Sequence, residues 1–144
     1  MASAGPLRSE WPDDGSGDEA AERLAHAVIG AAIEVHRELG PGLPEGVYER
    51  ALSQELTLRS IRHRCQAPVP VTYKGVNVGE GRIDILVEDR LVVELKSCEQ
   101  LTDLHRAQVR AYLCAKGLRL GLLINFNVAV LHDGMKRVLN VIRR

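Results

Sequence analysis

Aromatic side chains, paired cysteines, excess charge and long apolar runs are all scarce in this chain. Phe, Trp and Tyr make up only 3% of the 144 residues. A core built without rings must come from Leu, Val, Ile and Ala, and serial base stacking on a single strand is argued against. The three cysteines, Cys65, Cys98 and Cys114, are odd in number and share no metal-ligand spacing. A disulfide framework or a zinc site is therefore not expected. His26, His36, His63, His105 and His132 show no paired zinc spacing either. The formal net charge is zero, with 19 basic and 19 acidic residues. That balance counts against tight autonomous binding of a phosphate backbone. It leaves room for an acidic metal site offset by basic patches. No secretory signal or membrane-length apolar stretch is expected, so the reading places the chain in a reducing cytosol, away from membranes.

What is present fits an ordinary globular domain. Hydrophobic residues are 45% and charged residues 26% of the chain, and the length suits one domain with a real core. Residues 1–17 are rich in Ser, Gly, Pro and Asp without periodicity, and read as a disordered tail that includes Trp11. Residues 18–144 form the expected domain. Leu24, Val28, Ala31, Ala32, Val35 and Leu39 recur at helical spacing, and Gly40-Pro41-Gly42 stops that helix. A second helix is predicted from about Leu43 to Arg59, with Pro44 in its first turn and Val47, Ala51 and Leu52 inward.

Strand character follows. Val69, Val71 and Tyr73 alternate up to a turn at Tyr73-Lys74-Gly75, and Val76 and Val78 lead through Gly79-Glu80-Gly81 into a hairpin. A third helix is predicted from Thr102 or Asp103 to Gly117, then a strand buried on both faces from Leu120 to Phe126. A weaker strand signal covers Val128 to His132, and a last strand runs from Met135 to Val141. The order α-α-β-β-β-α-β-β describes one α/β domain with no internal repeat.

The hairpin Gly81–Lys96 carries the chemistry. A turn at Glu88-Asp89-Arg90 sets Val87 opposite Leu91, Ile85 opposite Val93 and Ile83 opposite Leu95, all on one apolar face. The other face then carries Asp84 opposite Glu94, with Lys96 two residues on. Two acids and a lysine on a half-buried surface are what a divalent-metal phosphodiester site needs. A wet hairpin face also carries such residues for solubility alone. Two features favour the functional reading: the run Leu91–Lys96 is too apolar for a wet strand, and like charges facing across strands repel unless something positive lies between them. A metal ion, Lys96 or Arg82 would each serve.

Gly42-Leu43-Pro44-Glu45-Gly46-Val47-Tyr48 fits G-x-x-E-x-x-Y, with Ile33–Gly40 before it and Val93-Glu94-Leu95-Lys96 after it. From about Leu24 to Arg137 the chain resembles the GxxExxY protein family, a branch of the PD-(D/E)xK nuclease superfamily. The resemblance implies a restriction-endonuclease-like core: a single α/β domain whose mixed central sheet is flanked by helices. It also implies Mg²⁺ or Mn²⁺ as cofactor and nucleic acid, DNA first, as substrate. Asp84 matches the first acid of the signature, with Ile83 where a proline often stands, and Glu94 and Lys96 match E-x-K. Glu45 matches the acid of the first core helix, and Gln108 and Tyr112 match the Q-x-x-x-Y element of the exonuclease-like branch.

The resemblance thus implies Asp84, Glu94 and Glu45 as metal ligands, Lys96 as the catalytic cation, and Gln108 and Tyr112 at the substrate. His36 is an outside candidate for a phosphate contact, and His105 another. Each assignment has a plainer rival. Glu45 suits the first turn of any helix, Gln108 and Tyr112 suit an amphipathic boundary, and Tyr48 packs or hydrogen-bonds a strand. Two other functions stand beside the nuclease: a nuclease-fold module that binds a protein or nucleic acid without cutting, and a small homo-oligomeric structural protein.

Overall fold

A computed structural model describes residues 19–140. The expected tail with Trp11, and Val141 of the last expected strand, lie outside the described residues. Helices α1 (Glu19–Leu39) and α2 (Glu45–Leu58) come first, then strands β1 (His63–Tyr73), β2 (Val76–Val87) and β3 (Leu91–Lys96). Helix α3 (Asp103–Lys116) leads to β4 (Leu120–Asn125) and, after a short 3-10 turn, to β5 (Met135–Leu139). The strands form one mixed five-stranded sheet in the order β1-β2-β3-β4-β5. Only β3 and β4 pair in parallel, because α3 supplies the crossover that a parallel pair requires.

Two cores cover the two faces of this sheet. On one face α1 and α2 pack on Ile85, Val87, Leu91, Val93, Leu95, Leu122 and Ile124. The stripe that α1 presents is mostly small, Ala21, Ala25, Val28, Ala31 and Ala32, so the helix lies close to its neighbours. On the other face Val109 and Leu113 of α3 pack on Leu86, Val92 and Leu123. Strand β4 is buried along its whole length, as expected of a strand covered on both sides. Among the described residues no helix is long and apolar enough to cross a membrane.

Turn and cap chemistry set the element ends. Lys74 and Gly75 both have positive φ between β1 and β2, the requirement of a two-residue hairpin turn. Glu88 and Asp89 repeat this between β2 and β3, each at φ 53°. At α3, the Thr102 hydroxyl accepts from His105 N at 3.2 Å, and His105 Nδ1 accepts from Thr102 N at 3.1 Å. His105 therefore completes a capping box in the place usually taken by Glu or Gln. That bond occupies one ring nitrogen and gives His105 a structural role without any phosphate.

The strand expected over Val128–His132 is not formed. Leu131–Gly134 is a 3-10 turn instead. Strand β4 already has β3 on one side and β5 on the other, so the intervening segment cannot pair with the strand it follows. It caps the end of the sheet, with Leu131 in the core. Gly134 lies so close to β4 that a Cβ there would stand 2.2 Å from the Asn125 carbonyl oxygen. The other eight expected elements form.

Candidate active site

The β2–β3 hairpin pairs as expected at Val87↔Leu91 and Ile85↔Val93, and there the ladder ends. Beyond it, side chains replace the backbone bonds. Asp84 N donates to Glu94 Oε2 at 2.7 Å, and Leu95 N donates to Asp84 Oδ2 at 2.8 Å. The strands fork, and the two carboxylates lie in the fork. Asp84 and Glu94 do meet across the strands. The expected pair Ile83 and Leu95 does not: Ile83 packs in the core under α3 and Leu95 in the core under α1 and α2. The alternation is broken because each acid hydrogen-bonds the opposite strand's backbone, which competes directly with the ladder.

Glu94 is 3% exposed. Burial pushes its pKa up to about 8, and the nearby Asp84 charge pushes in the same direction. The Asp84 N–H and the Lys96 charge pull the other way, and the Glu45 charge adds a smaller upward push. At neutral pH the Glu94 carboxyl therefore keeps its proton unless a cation compensates it. A carboxyl perturbed by burial and a like charge is a recognised mark of a functional site.

Glu45 opens α2 and is exposed, and its carboxylate makes no hydrogen bond among the described residues. Its charge is felt at both Glu94 and Glu49. The buried Tyr48 explains the spacing of the G-x-x-E-x-x-Y segment. Its hydroxyl donates to the Gly40 carbonyl and accepts from Leu43 N at 3.1 Å, and its ring stacks on Phe126 at 4.5 Å. Tyr48 thus locks the loop that delivers Glu45, rather than bonding a strand. Ser97 Oγ donates to the Leu43 carbonyl at 2.6 Å, which ties that loop to the residue after Lys96.

Two residues not singled out in the sequence join this side of the fork. Glu49 lies one turn after Glu45, and Gln66 of β1 donates to Glu49 Oε1 at 2.8 Å and to Asp84 Oδ1 at 3.3 Å. Burial, followed by the charge of Asp84, raises the Glu49 pKa against the lowering hydrogen bond from Gln66. The four-residue step from Glu45 was a readable signal. Gln66 had none.

From the opposite face, Gln108 of α3 reaches Lys96. Lys96 Nζ donates to Gln108 Oε1 at 3.4 Å, and Gln108 Nε2 donates to the Tyr112 hydroxyl at 3.4 Å. Both bonds are long and therefore weak. The Tyr112 ring lies against Gly81, where any Cβ would stand 2.5 Å from Cε1. Lys96, Gln108 and Tyr112 are thus brought together. His36 is not among them. It is 9% exposed, its Nε2 bonds the Val128 carbonyl at 2.8 Å, and its ring faces Phe126. These bonds anchor the β4–β5 connection, so the expected phosphate contact at His36 is replaced by a structural one.

Among the described residues no three His, Cys, Asp or Glu side chains converge tightly enough to hold a metal ion by themselves. The donor set still suits a hard cation, which takes one or two carboxylates and completes its shell with water and substrate oxygens. A buried Glu94 facing Asp84, with burial and like charge both opposing ionisation, is a pair that such a cation relieves. A sequence model of the PD-(D/E)XK nuclease superfamily matches residues 22–138. The chain belongs to this superfamily. PD-(D/E)XK nucleases generally use divalent metals, in keeping with the donor chemistry of the fork. No curated protein and no solved structure matches the chain.

Proposed function

We propose that the fork is the centre of a divalent-metal-dependent nuclease that hydrolyses phosphodiester bonds, and that the chain represents the GxxExxY branch of its superfamily. The observation that carries the reading is the pair of side-chain bonds across the fork, Glu94 accepting from Asp84 N and Asp84 accepting from Leu95 N, with the Lys96 charge close by. Asp84 and Glu94 would hold Mg²⁺ or Mn²⁺, with Glu45 adding its charge from the start of α2 rather than completing a three-carboxylate cage. When bound, the cation polarises a phosphoryl oxygen and lowers the pKa of a water. Lys96 orients that water and offsets the negative charge that builds on the phosphoryl oxygens, a task suited to a compact point charge. The water oxygen would bond phosphorus as the P–O bond to the leaving oxygen breaks, the water's proton passing to solvent and the leaving oxygen taking one from solvent. Gln108 and Tyr112 hold Lys96 and the nucleic-acid backbone. DNA is the first substrate to try.

The formal net charge of zero favours one other reading, a module that binds its partner without cutting. Purified protein incubated with labelled single-stranded, duplex and branched DNA, and with RNA, separates the two. The nuclease reading expects products with Mg²⁺ or Mn²⁺ that disappear in EDTA and in Asp84→Ala. Equal trace cleavage by wild type and Asp84→Ala removes it in favour of binding alone.

A further inference from the structure

Gln66 occupies the middle of β1 with φ 54°. A non-glycine residue in the left-handed region costs about 1 kcal/mol or more, and such strain persists only where the surroundings impose it. Neither neighbour is a turn residue. The ladder to β2 runs through Cys65↔Ile85 and Ala67↔Ile83, and Gln66 opposite Asp84 is left out of it. Packing does not account for the distortion, because the Gln66 side chain is exposed. The gain lies in where the amide goes. It crosses from the sheet edge to bridge an acid of α2 and an acid of β2.

The two bonds are unequal, and the difference matters. The 2.8 Å bond to Glu49 is of full strength, whereas the 3.3 Å bond to Asp84 Oδ1 is long. Asp84 Oδ2 is committed to Leu95 N, so Oδ1 is the oxygen left for a ligand. A weak contact can aim Oδ1 without competing for it. The Gln66 carbonyl is held in turn by Arg82 Nη1 at 3.3 Å, which fixes the distorted backbone from its other side.

We propose that Gln66 and Glu49 are a positioning pair for the cation site: Glu49 fixes the Gln66 amide, and the amide fixes the orientation of the Asp84 carboxylate. The inference rests on the nuclease reading and adds two residues to it. Groups that orient a ligand commonly matter about tenfold or more to metal affinity. Asparagine tolerates the left-handed region well and keeps the amide, yet is one methylene too short to span both acids. Gln66→Asn therefore removes the bridge with the backbone preserved.

The test is calorimetric Mn²⁺ titration of full-length wild type, Gln66→Asn, Glu49→Ala, which removes the acceptor that holds the Gln66 amide, the double variant and Asp84→Ala, with thermal unfolding in EDTA alongside. Wild type binds, Asp84→Ala does not, and each single variant binds about tenfold more weakly at an unchanged unfolding temperature. The double variant is no weaker than either single one, as residues acting through one bridge are not additive. Wild-type affinity in both single variants, with binding still lost in Asp84→Ala, overturns the positioning pair and leaves the nuclease reading intact. Lower affinity that merely tracks a fall in unfolding temperature also overturns it. Absence of Mn²⁺ binding by wild type defeats both.

Discussion

Lys96→Ala slows single-turnover cleavage by about a thousandfold, or about 4 kcal/mol of transition-state stabilisation, and leaves Mn²⁺ affinity and folding essentially unchanged. The proposed role gives Lys96 work only when negative charge builds on the phosphoryl oxygens, so its loss appears in rate rather than in binding. Its structural ties are slight. The side chain is only partly buried, and its hydrogen bond is the 3.4 Å contact to Gln108. Truncation therefore leaves no buried charge and no sizeable cavity. Lys96→Arg does not restore the rate, because a planar guanidinium cannot place a compact charge at the same point. Equal single-turnover rates for wild type and Lys96→Ala, measured on a substrate that wild type cuts, remove Lys96 from the chemistry.

The metal-free protein loses stability as pH rises from about 4.5 to about 8, the unfolded and folded pKa values of Glu94. The sign follows from proton counting. The folded pKa is raised, so within this window the native state holds a proton that the unfolded chain has released. Stability therefore falls with rising pH. Below the window Glu94 is protonated in both states and its contribution is fully present. Above it the carboxylate is ionised in both and the loss is complete. The loss is on the order of a few kcal/mol. Glu49 adds a smaller change in the same direction, its pKa also being raised by burial and by Asp84.

A divalent cation that binds only the native state opposes this loss at the alkaline end. Glu94→Gln removes most of the slope and makes the metal-free protein more stable than wild type above the window. Urea unfolding in EDTA across the window, repeated with Mg²⁺, measures all of this. Parallel pH profiles for wild type and Glu94→Gln would show that Glu94 is not the titrating group. Lys96 charge lowers the Glu94 pKa, so Lys96→Ala extends the metal-free decline to higher pH without steepening it.

The fold was legible wherever local rules and packing agreed. The pairs Val87↔Leu91 and Ile85↔Val93 followed from a turn and an alternation, and the apolar run Leu120–Asn125 reads as what it is, a strand covered on both faces. Legibility stopped at the fork. Period-two reasoning continues a ladder through Ile83 and Leu95 and cannot foresee that two carboxylates take the backbone donors instead. It failed again at Val128–His132, where a strand-like sequence follows a strand whose two sides are already paired. Asp84, Glu94, Lys96, Gln108 and Tyr112 were all visible as types at the right spacing, and hydrogen bonds join Asp84 with Glu94 and, separately, Lys96 with Gln108 and Tyr112. Glu49 was visible only as the helical neighbour of Glu45. Gln66 was invisible, because nothing in a glutamine announces a left-handed backbone. The histidines misled for a plain reason: His36 and His105 are polar residues near the site in sequence, and each spends a ring nitrogen on the backbone.

The central claim is that the β2–β3 fork is a cation site. Anomalous diffraction from crystals soaked in Mn²⁺ examines it at the atoms concerned. The account predicts a peak in the fork, coordinated by Asp84 Oδ1 and a carboxylate oxygen of Glu94, with Lys96 Nζ close enough to share a water with it. An empty fork in crystals that bind Mn²⁺ elsewhere, or no bound Mn²⁺ at all, contradicts it.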